Sequence, residues 1–298
     1  MSQRPPIALT IAGSDSGAGA GIQADLKTFA ALGVYGASVV TAITAQNTRT
    51  VRRIHFPSPE MVADQIDLVL EDFDVAAIKI GMLGMAAFVK VVAERLPSPP
   101  GRGVETLLPP GEEPVPGLRP GDGPKGRMRA FIVYDPVMTA STGDPLSGAG
   151  FVEAVRASLL PLVDCLTPNL AEAAALVGEP VARSEADMVR QGEALLKLGP
   201  RAVLMKGGHL DGHEAIDLLM TADAVHRFAT AKIPSPNLHG TGCVLSSAIA
   251  AHVALGAPLA EAVERAKAFV GQAIVAGQGP RLGGGPGPLR PDLVARTP

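Results

Sequence analysis

The chain has 298 residues, 47% of them hydrophobic and 18% charged, enough for one large domain or two small ones with a sizeable core. A net charge of −3 with no long run of either sign excludes a basic nucleic-acid footprint, and no apolar run reaches the length of a membrane span. Two cysteines far apart in sequence, Cys165 and Cys243, make neither a disulfide framework nor a zinc site and point to a reducing cytoplasm.

With no tryptophan and only 3% aromatics, the core must be built from Ala, Val, Leu and Ile, which suits a parallel sheet between helices. The opening "MSQRPPIALTIAG" has too short an apolar run for a signal peptide, and 7–12 within it reads as the first strand. Next come "GSDSGAGAG" (13–21), a helix over 19–32 that carries Asp25, and a strand at 37–45 followed by "QNT" (46–48). A helix at 58–72 leads to the strand "VAAIKI" (75–80), then "GML" (81–83) and a helix at 85–96. After 98–126 the pattern resumes with a strand at 130–134, "DPVM" (135–138), "STGD" (141–144), a helix at 148–160 and a strand at 163–166. "TPNLAEA" (167–173) opens a helix over 169–177, a second helix covers 185–198, and the strand 202–206 ends in "KGGH" (206–209). Residues 214–221 and 225–231 read as an antiparallel hairpin, and helices at 240–256 and 259–276 follow. This alternation predicts an α/β domain with a mainly parallel sheet.

Residues 98–126 break the pattern, with eight prolines and seven glycines in 29 residues. That density fits a disordered surface insertion within one domain rather than a boundary. The tail from Gly277 is also rich in Gly and Pro, and either folds over a ligand or frays.

Open α/β sheets bind ligands at the C-terminal ends of their strands, and here glycines and polar residues collect after every strand. The helix at 240–256 opens on Gly240-Thr241-Gly242-Cys243. Glycines there let several free N–H groups converge on one spot, where an anion is stabilised and a thiol is expected to have a lowered pKa. The plainer reading is a tight loop with Cys243 as a small buried residue. Residues 19–24, "GAGIQA", match a dinucleotide fingerprint, but the following strand ends in Ala45-Gln46 with no acid for a ribose. No P-loop run exists. Asn169 and Glu172 fit an N-cap with a reaching glutamate, Lys206 a strand-end lysine whose following glycines admit a phosphate, and Asp135 a strand end. His239 and Cys243 lack an orienting Asn or Asp, against a cysteine hydrolase.

Taken together, "LTIAGSDSGAGAGIQADLKTF", "KIGML", "DPVM", "TPNLAEAAAL", "VLMKGGH" and "HGTGC" resemble, in order over nearly the whole chain, the bacterial hydroxymethylpyrimidine/phosphomethylpyrimidine kinases of thiamine biosynthesis, members of the ribokinase-like superfamily. Three departures stand out: Ser16-Gly17-Ala18 in the first loop, the extra segment 98–126, and "GGGPGPL" in place of the usual ending. The resemblance implies a three-layer α/β/α ribokinase-like fold without a separate lid domain, as one kinase domain over 1–298, usually a homodimer. It implies ATP and Mg²⁺, and phosphoryl transfer to the pyrimidine alcohol and then to its monophosphate. By position, Gly13, Asp25, Gln46 and Met82 would line the pyrimidine, and Gln46 offers the donor and acceptor that an aminopyrimidine edge requires. Asn169, Lys206 and Thr241 would face the nucleotide, and Glu172 and Asp135 the metal. Gly240, Thr241 and Gly242 would form the anion hole, with Lys206 beside it and Cys243 where sugar kinases of the superfamily carry an aspartate base. A pyridoxal kinase, and a vitamin-binding regulatory module on the same fold, are the competing readings.

Overall fold

The computed structural model describes residues 4–96, 129–139, 146–279 and 282–294; the segment 98–126 and the "STGD" loop lie outside the described residues. Among the described residues nine strands join one sheet: β1 (Ile7–Ser14), β2 (Tyr35–Gln46), β3 (Val51–His55), β4 (Val75–Ile80), β5 (Phe131–Tyr134), β6 (Cys165–Leu166), β7 (Ala202–Lys206), β8 (Glu214–Thr221) and β9 (Val225–Ala231). Their spatial order is β3-β2-β1-β4-β5-β6-β7-β8-β9. Pairing is parallel from β2 across to β7 and antiparallel at both edges. The chain runs from β1 outward to β2 and then returns to place β4 on the other side of β1. The loops after β1 and β4 therefore part, and a crevice opens at this switch point.

Among the described residues eight α-helices cover the two faces: α1 (Gly21–Ala31), α2 (Pro59–Asp72), α3 (Ala86–Arg95), α4 (Phe151–Ala154), α5 (Leu170–Val177), α6 (Glu185–Leu196), α7 (Thr241–Ala254) and α8 (Leu259–Ala276). Strand alternation sorts the core by size. Leu9, Ile11, Ile78 and Ile80 face the layer of Ile66, Phe88, Val92 and Phe151. The small Ala8 and Ala77 face Val244, Ala248 and Ile249 of α7. Small residues on that side let α7 lie close to the sheet beneath α1 and α8, so Val244 through Ala251 are all buried. A helix enclosed on every side needs no polar face, which is why its apolar pattern runs right round.

Three of these helix starts carry a side-chain cap, and α3, α4 and α8, away from the crevice, carry none. Ser58 caps α2, Ser184 caps α6, and Asn169 with Glu172 forms a capping box on α5. By contrast, α1 and α7 begin at Ala20 and Gly240 with no side-chain cap. These two uncapped ends meet at the crevice.

The three-layer α/β/α fold and the 214–231 hairpin match the sequence reading. Four local expectations are corrected. The edge strand β3 was not anticipated, because "VRRIH" is polar; Asn47 makes it by accepting the Arg49 and Thr50 N–H groups in a tight turn off β2. The helix predicted from residue 19 starts at Gly21, because the Asp15 side chain holds the preceding loop in a non-helical path. The helix predicted over 148–160 is one α turn that loosens into a π turn at Val155–Leu159 and a 3-10 turn at Leu160–Leu162, where Pro161 has no N–H to continue it. The strand at 163–166 shortens to Cys165–Leu166.

Gly192 carries the contact of α6 with the sheet, because a Cβ there would run into Met220 Sδ and press on Met205. Gly192→Leu is expected to lower unfolding free energy by about 1–3 kcal/mol through overpacking. Urea denaturation checks this against Gly279→Ala, whose Cβ meets nothing within 4 Å.

Candidate active site

One cavity of about 970 Å³ opens where β1, β2, β4, β5 and β7 end. Gly13, Gln46, Met82, Asp135, Asn169, Glu172, Lys206, Gly240, Thr241, Gly242 and Cys243 all line it. Of the residues singled out from sequence, Asp25 alone does not. It is fully buried one layer beneath, where both its oxygens accept from Lys79 Nζ at 2.9 Å. Thr10 and Ser247 donate to the same carboxylate at 2.6 and 2.7 Å. A carboxylate so fully engaged has nothing left for a ligand ring.

The first glycine loop is folded around Asp15, which the sequence reading passed over. Its carboxylate accepts the N–H groups of Gly17, Gly19 and Ala20 at 2.8, 3.1 and 2.9 Å, and pairs with His239 Nε2 at 3.1 Å. Burial alone would push its pKa up; His239 and the Gly17 and Ala20 N–H groups more than reverse that and hold it below the usual carboxylate range. His239 thus serves Asp15 rather than Cys243, which removes the cysteine–histidine pairing. The Gly21 N–H at the start of α1 instead pulls the Cys243 pKa down.

Gly240 adopts φ +88°, and a Cβ on it would strike the carbonyl oxygen of Gly19. Glycine is therefore required twice over, for its backbone and for the close approach of the two loops. Beyond it, the N–H groups of Gly242 and Cys243 have no protein acceptor among the described residues. A Cβ on Gly242 would stand 3.2 Å from Lys206 Nζ and 3.5 Å from Asp135 Oδ2. The uncapped helix end and a lysine ammonium thus meet at one point, an arrangement that stabilises a multiply charged oxyanion.

Lys206 and Asp135 pair at 2.6 Å. Glu172 completes the charged group, and its place in the capping box is real: Oε2 accepts the Asn169 N–H at 2.7 Å. No hydrogen bond among the described residues uses its Oε1. Burial, and then Asp135, push the Glu172 carboxyl up to about 7 against the pull of Lys206 and the Asn169 N–H. Burial works against the Lys206 ammonium, but Asp135 and Glu172 outweigh it and raise its pKa. Behind them the fully buried Tyr134 has a hydroxyl with no partner among the described residues. Burial and the same two carboxylates push that phenol well above its ordinary value.

The thiol expectation is overturned. Burial pushes Cys243 up to about 11; Lys79 and the Gly21 N–H pull it down, Asp25 and Asp135 push it up. Two nearby carboxylates and the loss of water outweigh the helix N-terminus. At the opposite wall Gly13 and Met82 touch, a Cβ on the glycine lying 3.1 Å from Sδ. Gln46 spends its Oε1 on Thr44 at 3.3 Å and leaves its amide nitrogen for the cavity. Lys79, Asp15 and Ser247 were missed. For Lys79 the signal was there: a lysine inside the apolar run "VAAIKI" demands a buried counter-charge.

A sequence profile of the family described as phosphomethylpyrimidine kinase matches residues 15–104 and 125–290. A hydroxymethylpyrimidine/phosphomethylpyrimidine kinase of Rhizobium meliloti is 48% identical over 283 residues, covering 95% of this chain and 96% of the relative. The crystal structure of phosphomethylpyrimidine kinase from Clostridium difficile is 38% identical with a TM-score of 0.71, over 90% of this chain and 99% of the other. The structure of pyridoxal kinase from Staphylococcus aureus in complex with AMP-PCP and pyridoxal is 30% identical with a TM-score of 0.79, over 97% and 94%.

Gly242→Val should displace Lys206 and Asp135 and close the anion cradle. Turnover is expected to fall by about 10²-fold or more while thermal melting stays near wild type, measured by steady-state kinetics and calorimetry. Glu172 gives a pH signature. Its carboxyl holds a proton in the folded protein up to about 7 but releases it near the ordinary 4.5 when unfolded. The native state therefore binds more protons between those values, and stability falls as pH rises through that window. Glu172→Gln should match wild type at pH 4 and be more stable at pH 8 by up to about 3 kcal/mol, read by urea denaturation.

Proposed function

The chain belongs to the phosphomethylpyrimidine kinase family and is a phosphotransferase; from that premise we propose that it serves thiamine biosynthesis. It moves the γ-phosphoryl group of ATP to the hydroxymethyl group of 4-amino-5-hydroxymethyl-2-methylpyrimidine, and then a second phosphoryl group to that monophosphate. The observation that carries this reading is the pair of free N–H groups at Gly242 and Cys243 beside Lys206.

Phosphoryl transfer asks chiefly for in-line positioning and neutralised charge. In this reading Gly13, Gln46 and Met82 hold the pyrimidine, the free amide of Gln46 donating to a ring nitrogen. Asn169, Thr241 and Lys206 hold the nucleotide phosphates, and the Gly240–Cys243 turn cradles the group in transit. Among the described residues no cluster of three or more His, Cys, Asp or Glu stands ready for a metal. Mg²⁺ fits nevertheless, because it is commonly held by one or two carboxylates with phosphate and water completing the shell. Glu172 and Asp135 would hold it, and once bound it neutralises phosphate charge. As the substrate oxygen bonds to the γ-phosphorus, the bond from that phosphorus to the β-bridging oxygen breaks and ADP leaves. The Cys243 thiol first releases its own proton to solvent; the hydroxyl proton then passes to the thiolate sulfur and later leaves to solvent in turn.

The reading takes the enzyme as a cytoplasmic homodimer with one kinase domain over 1–298, in which 98–126 is an insertion. No helix among the described residues is long and apolar enough to cross a membrane. The profile match skips 105–124, within that insertion. Exposed Tyr35, Ile43, Met61 and Leu68 on β2 and α2 offer an apolar contact at one sheet edge. The alternative reading, a pyridoxal alcohol as substrate, rests on the likeness in fold to the pyridoxal-bound kinase.

Mass spectrometry of products formed with ATP, Mg²⁺ and each alcohol tests the assignment. Both the mono- and diphosphate of the pyrimidine are expected; monophosphate alone at excess ATP rules out the second transfer. Gln46→Leu should lower kcat/KM for the pyrimidine by about 10–1000-fold, roughly 1.5–4 kcal/mol, with ATP affinity nearly unchanged. A loss of ATP binding with pyrimidine binding intact would misplace Gln46.

A further inference from the structure

His239 stands immediately before the Gly240 turn, and bonds to two other segments hold it there. Its Nε2 pairs with Asp15 Oδ2 at 3.1 Å. Its N–H donates to the Gly287 carbonyl at 3.2 Å, and its own carbonyl accepts the Leu289 N–H at 3.3 Å. Both segments reach the end of β2, where Gln46 lies. On one side Ser16 follows Asp15, and its hydroxyl accepts the Gln46 N–H at 2.9 Å and donates to the Gln46 carbonyl at 2.7 Å. On the other, the strap 283–289 carries Gly285, whose N–H donates to Thr48 Oγ1 at 3.0 Å. The strap is pressed against that loop, because a Cβ on Gly285 would strike the Thr48 carbonyl oxygen. The buried Asn237 pins it again, accepting the Gly287 N–H at 3.0 Å and donating to the Gly277 carbonyl at 2.6 Å. Two chains of bonds therefore leave the Gln46 end of β2 and converge on His239. They run through Ser16-Gly17-Ala18 and "GGGPGPL", two of the stretches in which this chain departs from its family's pattern.

We infer that His239 is a positioning residue for phosphoryl transfer: it holds the Gly240–Cys243 cradle in register with the pyrimidine wall around Gln46. Its ring is engaged by Asp15, so it acts through Gly240 and not on the substrate. The layers of the fold do not set this register: α7 packs on β1, β4 and β5, whereas Gln46 ends β2. The loops that meet at His239 set it instead. Transfer to a bound alcohol depends steeply on the separation of cradle and ring, since a misplacement of about 1 Å can cost about 10²-fold. Transfer to water does not use the pyrimidine wall. There the water oxygen bonds to the γ-phosphorus, the bond to the β-bridging oxygen breaks, and ADP, inorganic phosphate and a proton are released. The inference rests on the proposed transfer to a pyrimidine alcohol, and its test separates the two.

The test compares two rates in the full-length protein with γ-labelled ATP and Mg²⁺. One is transfer to the pyrimidine alcohol at saturation; the other is hydrolysis of ATP with no pyrimidine present. His239→Ala is expected to lower transfer about tenfold or more, while hydrolysis and KM for ATP hold within about threefold. His239→Gln, whose amide nitrogen can donate to Asp15, should recover part of that loss. Thr48→Val, which removes the acceptor of the Gly285 N–H, should lower the ratio of transfer to hydrolysis by about threefold or more. Transfer and hydrolysis falling together in His239→Ala would make the residue a support of the cradle alone and overturn the inference. A ratio at the wild-type value, or a higher KM for the pyrimidine with kcat unchanged, overturns it as well. Where His239→Ala fails to fold, Thr48→Val decides by the same ratio. If wild type phosphorylates no pyrimidine, the proposed function fails by itself, and the ratio with pyridoxal as acceptor decides the inference.

Discussion

Two backbones pass closer at Gly19 and Gly240 than any side chain allows, and the site depends on that approach. It brings the uncapped starts of α1 and α7 together, so that N–H groups from both helices aim into one crevice. The Asp15–His239 pair fastens the two loops from one side, and the backbone of Gly287 and Leu289 clasps His239 from the other. On α2, α5 and α6 serine and asparagine side chains satisfy the helix starts. At α1 and α7, which open on the crevice, no side chain takes that duty.

Two buried ammonium groups flank this point, each neutralised before any ligand arrives. Lys206 is matched by Asp135 at the cavity wall, Lys79 by Asp25 below the floor. Isolated buried charges would cost several kcal/mol each, so the pairs are the condition for having cations there at all. Their difference is exposure: Lys206 keeps some surface to the cavity, Lys79 has none. A ligand phosphate competes with Asp135 for the first, whereas the second is a fixed part of the field. Glu172 sits between the regimes, its carboxyl pushed up to about 7 by burial first and by Asp135 second.

The layers and the loops were readable because each rests on a local pattern. Strand 75–80 is an apolar run, "KGGH" follows a strand, and the Gly-Thr-Gly-Cys turn opens a helix; the topology then gathers such pieces at one edge. What escaped depends on contacts across the sequence. The edge strand β3 exists because of its turn and its partner, not its own polarity. Asp15 looks like any loop aspartate until Gly19 and His239 are in place around it. Asp25 was placed against the ligand by resemblance, and only the position of Lys79, fifty-four residues on, shows that its oxygens are taken. The thiol of Cys243 was misjudged for the same reason. The helix end is visible in sequence, but the two carboxylates and the loss of water around the sulfur are not.

Tyr134 has a consequence for how the molecule is observed. The protein holds no tryptophan and two tyrosines. Tyr35 is 52% exposed at the far edge of the sheet and stacks on Phe73, while Tyr134 is sealed behind Asp135 and Glu172. With no indole to absorb its excitation energy, tyrosine emission is the chain's own ultraviolet fluorescence. A soluble quencher reaches Tyr35 and not Tyr134, so the protected share of the light comes from a phenol whose field is set by the two carboxylates in front of it. Any ligand that changes their charge is written into that signal, and the protein carries an unlabelled optical reporter for the occupancy of its own cavity.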